Sequence, residues 1–221
     1  VKHLNSKLGE YKMANQVDKT RVRMDQVRLS YTYLAEPVED DYGKEKYKSQ
    51  ILIPKKSKTL LKQIDTAVRA AAVKKFGMEA AKKLLKNPQF KTPLRDAESE
   101  DREGEEYEGM MFLNATAGVK RKPGLVLRNG VKIVDVDEAH EHFYSGVWAY
   151  VSVNFFGFNA EGSKGVAVGI NNVMKWKDDE HLDGSTSATT EFEDLFEEDN
   201  DLDDIESSPE SAVDEDDDWD V

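Results

Sequence analysis

Residues 146–158 read GVWAYVSVNFFGF, and their alternation decides the architecture. At period two, Val147, Ala149, Val151, Val153 and Phe155 form one continuous apolar face, the pattern of a strand lining a hydrophobic interior. The opposite face holds Trp148, Tyr150, Ser152, Asn154, Phe156 and Phe158. It mixes rings with hydrogen-bonding groups and carries no charge. Ordinary solvated strand faces use Thr, Lys and Glu, so this one is built to meet something: the underside of a helix, a second subunit or a flat ligand.

The chain on either side fits the same reading. Residues 166–176 return as the second arm of a hairpin around the tip Glu161-Gly162-Ser163-Lys164-Gly165. Upstream, Asn129-Gly130 between residues 125–127 and 131–136 is a strong hairpin-turn signal. Residues 110–119 read as strand and 137–145 as an irregular or helical connection. Residues 96–108, with eight acids and one Arg, are expected to be a solvated surface loop. Nearer the start, Val27, Leu29, Tyr31 and Tyr33 mark a strand that Glu36-Pro37 interrupts, and YKSQILI (47–53) is a second, stopped by Pro54. Ser57 or Thr59 then caps a helix in which Leu61, Ile64, Val68, Ala71 and Ala72 recur at 3–4 spacing. Gly77 divides it from a second piece, 78–86. About seven strands with one helical insertion do not alternate as a doubly wound sheet does. They predict a mainly β, OB-fold-like Greek-key barrel with a helical insertion between strands, a β-sandwich being the competing architecture.

Charge divides the chain. It has 31 Lys+Arg against 44 Asp+Glu, a formal −13, yet no basic residue follows Lys177. Residues 178–221 contain 21 of the acids, so they carry −21 and the first 177 residues carry +8. The expected organisation is a flexible segment at 1–19, a folded domain at 20–177 and a disordered acidic tail at 178–221. The tail keeps Phe192, Leu195, Phe196, Leu202 and Ile205, and ends in Asp216-Asp217-Asp218-Trp219-Asp220-Val221. Val1 opens the chain and Met13 is the first methionine, so residues 1–12 are either upstream sequence or a native arm. With no Cys there is no disulfide, thiolate nucleophile or Cys-based zinc site, which suits a reducing cytosol. The longest uncharged apolar stretch, 145–160, is shorter than the ~20 residues of a membrane helix.

The chemistry these residues offer is binding. Rings on an outer strand face can stack unpaired bases at about 1–3 kcal/mol each, and Lys or Arg beside them can neutralise phosphates and release counterions. Candidate cations are Lys44, Lys46 and Lys48, then Lys120, Arg121 and Lys122, with Arg128 and Lys132 at the central hairpin and Lys164 at the last tip. The run Asp135-Val136-Asp137-Glu138-Ala139-His140-Glu141-His142 concentrates carboxylates and imidazoles, but its spacing matches no defined metal-ligand set. Gly162, Gly165 and Gly169 lie in a hairpin and form no phosphate-binding fingerprint. No catalytic residue, metal or cofactor is expected.

Two blocks, Ser30-Tyr31-Thr32-Tyr33-Leu34-Ala35-Glu36-Pro37 and Lys46-Tyr47-Lys48-Ser49-Gln50-Ile51-Leu52-Ile53-Pro54, resemble the first barrel strands of the T-seven-type bacteriophage single-stranded DNA-binding proteins. Residues 152–174, with Phe156-Gly157-Phe158-Asn159 and Val173-Met174, are similar to that family's last hairpin, and the acidic tail with a late aromatic completes the likeness. The resemblance implies an OB-fold that binds single strands in phage replication and recombination inside the infected bacterial cytoplasm. It implies a homodimer, and Phe156 and Phe158 on the DNA-binding surface. An acidic tail of this kind would compete with DNA and recruit phage polymerase, helicase or primase. Alternatives are a virion scaffolding protein, a metal-dependent nuclease and, opposed by the +8 body, a DNA mimic.

Overall fold

The computed structural model describes residues 18–40, 42–160 and 162–184. Most of the expected flexible segment (1–19) and of the acidic tail, including Asp216–Asp220, lies outside the described residues.

The first strand, β1 (Arg21–Glu39), is long enough to serve two neighbours. Residues 21–28 pair antiparallel with β7 (Trp148–Ala160) and residues 28–39 with β2 (Glu45–Pro54). Register breaks between Met24 and Val27 and between Ser30 and Tyr33 bend it, with Gln26 (φ 57°) and Tyr31 (φ 46°) in the left-handed region. β2 pairs with β4 (Met110–Gly118) along its length, and β7 with β8 (Ser163–Lys177). Parallel contacts Ala115↔Val168 and Thr116↔Gly169 then close the ring β4-β2-β1-β7-β8. Four antiparallel neighbours and one parallel closure make a five-stranded OB-type barrel, not a sandwich.

Three short strands decorate it: β3 (Arg95–Asp96) on β4, and the hairpin β5 (Gly124–Val126) and β6 (Lys132–Ile133) on β8. That makes eight strands among the described residues, β3 being too short to leave a periodic signal. The hairpin turns where Asn129-Gly130 predicts it, with Gly130 at φ 88° and Asn129 Oδ1 accepting from Val131 N–H at 3.0 Å.

Val147, Ala149, Val151, Val153 and Phe155 are all buried in the barrel interior with Met24, Leu29, Ile51 and Leu113. Helix α1 (Lys58–Phe76) covers one end, burying Ile64, Ala67, Val68, Ala71 and Ala72, and α2 (Met78–Leu84) follows Gly77. Close approach of α1 to β7 needs a glycine: a Cβ at Gly157 would stand 2.4 Å from Lys75 Cβ. Ser57 precedes α1 without a side-chain cap, whereas in α3 (Val136–His142) the Asp135 carboxylate accepts from Glu138 N–H at 3.0 Å.

Two sequence expectations are corrected. The acidic loop at 96–108 is not wholly solvated: Ala97 and Tyr107 are buried with Leu52 and Phe112 in a small second core. Tyr107 donates to Gln50 Oε1 at 2.7 Å, and Lys55 bridges Asp96 (2.8 Å) and Glu98 (2.9 Å). Charge density hid two apolar residues that suffice to dock the loop. The boundary at residue 178 also falls short, because residues 178–184 pack on the body, as set out below.

Gly157→Ala is expected to lower the unfolding free energy in urea titration by about 1–3 kcal/mol through overpacking. Gly118→Ala, whose Cβ would meet nothing within 4 Å, should stay within about 0.5 kcal/mol of the unmodified chain.

Candidate nucleic-acid interface

Strand pairing fixes what stands beside each outward side chain of β7. Asn154 lies between Arg21 on β1 and Gly169 on β8, and Ser152 between Arg23 and Asn172. Tyr150 is opposite Met174, Phe156 opposite Ala167 and Phe158 opposite Gly165. The small partners leave the two phenyl rings standing proud. Phe156 is 45% exposed, so its ring is not sealed inside the barrel. Phe158 is half-buried over Gly165, where an added Cβ would come within 2.9 Å of its Cε1.

A pocket of about 390 Å³ opens against Phe156. Arg21, Lys74, Lys75, Arg121, Asn154 and Asn171 line it, with Asp18 at its edge. Side-chain and backbone hydrogen bonds from Thr20 hold the Asp18 carboxyl below its ordinary value. Four cations against one carboxylate leave an excess of positive charge beside the exposed ring. Of these four, only Arg121 is legible as a candidate in sequence. Arg21, Lys74 and Lys75 are missed because they precede the strand core or sit on α1, far along the chain from Phe156.

The other end of the strand face is occupied differently. Trp176 meets Trp148 and Tyr150 edge-on, with centroids 6.2 and 6.3 Å away, and Lys177 lies over both indoles at 5.4 and 5.5 Å. Residues 178–184 then fold back as a clasp. Trp148 Nε1 donates to Asp179 Oδ2 at 2.6 Å, and Arg28 donates to the Glu180 carbonyl at 3.1 Å while standing 3.7 Å from Asp179. Tyr144 donates to Asp178 at 2.8 Å and stacks on His181 with centroids 3.7 Å apart, and Leu182 N–H donates to the Ser145 carbonyl. Trp148 is therefore not an open platform here: its polar edge is already spoken for. Burial pushes the Tyr144 phenol up to about 12. Burial also opposes charge on Asp178 and Asp179, but hydrogen bonds from Lys175, Tyr144 and Trp148 outweigh it and hold both carboxyls low.

The remaining cations fall in two groups. Lys46 and Lys48 pair in register with Gly118 and Thr116, so the β1–β2 hairpin with Lys44 lies beside Lys120, Arg121 and Lys122 at the end of β4. Lys48 sits 4.8 Å over the Tyr33 ring and Lys122 6.0 Å over Tyr47. Lys46 is bound to Asp40, whose carboxyl that hydrogen bond, with backbone donors, lowers to about 2. Lys132 is in register with Val126, Met174 and Tyr150, which places it at the ring face's edge; Arg128 follows β5, and Lys164 opposes Asn159 at the tip.

The acidic–imidazole run is splayed along α3. Asp135 caps the helix, His140 faces Glu36 at 3.5 Å, and Lys175 donates to His142 Nδ1 at 3.3 Å. No group of three or more His, Asp or Glu converges on one point among the described residues.

Residues 20–205 match the family described as Enterobacter phage Enc34, ssDNA-binding protein, and the chain belongs to that phage single-stranded DNA-binding family, whose members are not enzymes. Among its relatives is protein p50 of Acyrthosiphon pisum secondary endosymbiont phage 1, 29% identical over 180 residues that span 79% of this chain and 94% of p50. Its fold is similar to the bacteriophage Enc34 single-stranded DNA-binding protein solved in complex with ssDNA, at TM-score 0.65 and 22% identity, over 74% of this chain and 89% of that one. It is also similar to gp2.5, the bacteriophage T7 single-stranded DNA-binding protein, at TM-score 0.50 and 18% identity, over 87% and 98% of the two chains. These likenesses bear out the T-seven-type resemblance and the barrel.

The clasp has a pH signature. Carboxyls held below their ordinary 3.8 stabilise it above that pH and release it as pH falls through their lowered values. With Trp176 and Trp219 changed to Phe, Trp148 emission should stay constant down to about pH 4 and shift below it. Replacing both carboxyls, Asp178→Asn/Asp179→Asn, should remove the shift.

Proposed function

We propose that this chain binds single-stranded DNA without strong sequence preference and serves phage replication and recombination in the infected bacterial cytoplasm. The reading rests on one observation: Phe156 stands exposed on a charge-free strand face beside a pocket lined by Arg21, Lys74, Lys75 and Arg121. The ring stacks a base, Phe158 extends the platform across Gly165, and the cations hold the phosphates on either side. Stacking is nearly blind to base identity, and so is phosphate neutralisation, which is why sequence preference stays small. Tyr150 and Trp148 continue the same face towards the clasp, where a strand would meet Lys177 and Lys132. Lys44, Lys46, Lys48, Lys120, Lys122, Arg128 and Lys164 widen the field that attracts the polyanion.

In this reading residues 178–221 act on the body by charge. A −21 segment tethered to a +8 body competes with phosphates at high effective concentration. Displaced by DNA, its aromatic-in-acid end, Asp216-Asp217-Asp218-Trp219-Asp220, becomes available to basic pockets on a phage polymerase, helicase or primase. A homodimer is the assembly the family resemblance implies.

Phe156→Ala should weaken binding to a labelled oligothymidylate by roughly 5- to 150-fold, the equivalent of about 1–3 kcal/mol, whereas Phe156→Tyr keeps most of it. Duplex of the same length should bind more weakly, and added salt should reduce single-strand affinity. Equal binding to both forms, or an unchanged Phe156→Ala variant, would overturn the reading. Deleting residues 190–221 should tighten single-strand binding at low salt, with the gain shrinking as salt rises; an unchanged or weaker affinity refutes competition by the tail.

A further inference from the structure

Between the amino-terminal half of β1 and α1 runs a cleft of about 620 Å³, lined by Lys19, Arg21, Arg23, Lys62 and Gln63 among others. It shares Arg21 with the pocket against Phe156. The two are thus neighbouring stretches of one basic path, with Arg21 at the junction. On α1 the path follows an inclined row: Lys62, Thr66, Ala70 and Lys74 follow one another at four-residue spacing, on a face that turns from the cleft at Lys62 to the Phe156 pocket at Lys74. From Thr59 to Lys75 that face rises ~24 Å at about 1.5 Å per residue.

The pairing pattern separates this stripe from ordinary surface charge. Arg69, which lines a separate pocket against α2, has Asp65 at 2.7 Å, Lys82 on α2 has Glu79 at 3.0 Å, and Lys55 has two carboxylates. Within the path, Arg23 pairs with Asp25, both well exposed. Lys19, Arg21, Lys62, Lys74, Lys75 and Arg121 have no carboxylate within 4.0 Å among the described residues. Gathering six such cations along one path, with only Asp18 and Asp25 as lining carboxylates, leaves a mutual repulsion that a polyanion relieves. No aromatic ring lines the cleft among the described residues, so it suits the sugar–phosphate chain and not the bases.

We infer that the cleft between β1 and α1 is a phosphate-binding extension of the nucleic-acid site, which carries the backbone of a single strand onward from Phe156. It rests on the single-strand-binding reading and adds a direction to it: the strand turns off the outer face of β7 and follows α1. Thr59 and Gln63 supply uncharged donors to phosphate oxygens beside the lysines.

The test uses the full chain and the double variant Lys19→Glu/Lys62→Glu, two exposed residues that line the cleft and not the pocket against Phe156. Binding is measured to two oligothymidylates, one at the short end and one beyond the long end of the ~4–16 nucleotides a single such barrel covers. The long oligomer should lose about tenfold or more in affinity, and its log–log salt dependence should flatten by about 1.4, two contacts at about 0.7 each. The short one, held at Phe156, should change by less than about twofold. Lys83→Glu/Lys86→Glu, outside the cleft, removes the same charge as a control. Equal losses for the two variants, or equal losses on both oligomers, would overturn the cleft while leaving the Phe156 site standing. An unmodified chain that binds neither oligomer overturns both. Far-ultraviolet circular dichroism and the urea midpoint, expected to be unchanged, show that a lost affinity is not lost folding.

Discussion

Barrel closure depends on a small parallel contact, Ala115↔Val168 with Thr116↔Gly169, between two strands that are otherwise held by their antiparallel neighbours. Parallel pairing cannot come from a hairpin, so it exists only because β1, β2, β4, β7 and β8 are bent far enough to bring the two ends together. The side chains at the join are small, Ala115 and Gly169 among them, and Asn154 folds its amide over Gly169 on the outer surface. That same join fixes where Arg21, Asn154 and Phe156 stand relative to Arg121, which follows β4 directly. The candidate interface is therefore a by-product of closure, and its cations reach it from three parts of the chain that sequence order keeps apart.

Electrostatically the body sorts its cations by partner. Those that hold structure are paired: Lys55 pins the acidic loop, Arg28 and Lys175 pin the clasp, and Lys46 pins the β1–β2 turn. Those in the pocket against Phe156, with Lys19 and Lys62 in the cleft, have no carboxylate within 4.0 Å among the described residues. Only the second kind gains fully from meeting phosphate, since a paired lysine must first give up its carboxylate. The clasp is a carboxylate-for-phosphate arrangement in miniature, with Asp179 holding an indole N–H and an arginine at once.

Local signals carried much of this into the sequence. The β7 alternation is observed side chain by side chain, Asn129-Gly130 turns as expected, and Gly77 divides two helices. In each case the energetics are settled within a few residues. What stayed hidden is long-range. No periodicity marks Arg21 as a neighbour of Lys74, because that relation exists only after the helix lies on the barrel. The stripe Lys62–Thr66–Ala70–Lys74 looks like the solvated side of an amphipathic helix until β1 is placed opposite it. The docking of Asp178 to Gly184 was obscured by composition: an acidic run reads as repelled from everything, yet Arg28, Lys175 and the Trp148 indole were waiting for its first carboxylates. Among the candidate residues, Phe156 and Arg121 line one pocket, Phe158 lies two residues further along β7, and the other candidate cations do not line that pocket.

β1 is the common wall of the barrel, joined to β7 by its first half and to β2 by its second, with left-handed residues at Gln26 and Tyr31 absorbing the change of direction. A molecule so built has no half that can survive alone. Stripping this strand, whether by tension from its leading end or by thermal fraying, exposes both sides of the hydrophobic interior together. Disassembly is thus expected to be cooperative, and a load on the strand's leading end would meet a brittle body that holds its shape until it fails outright.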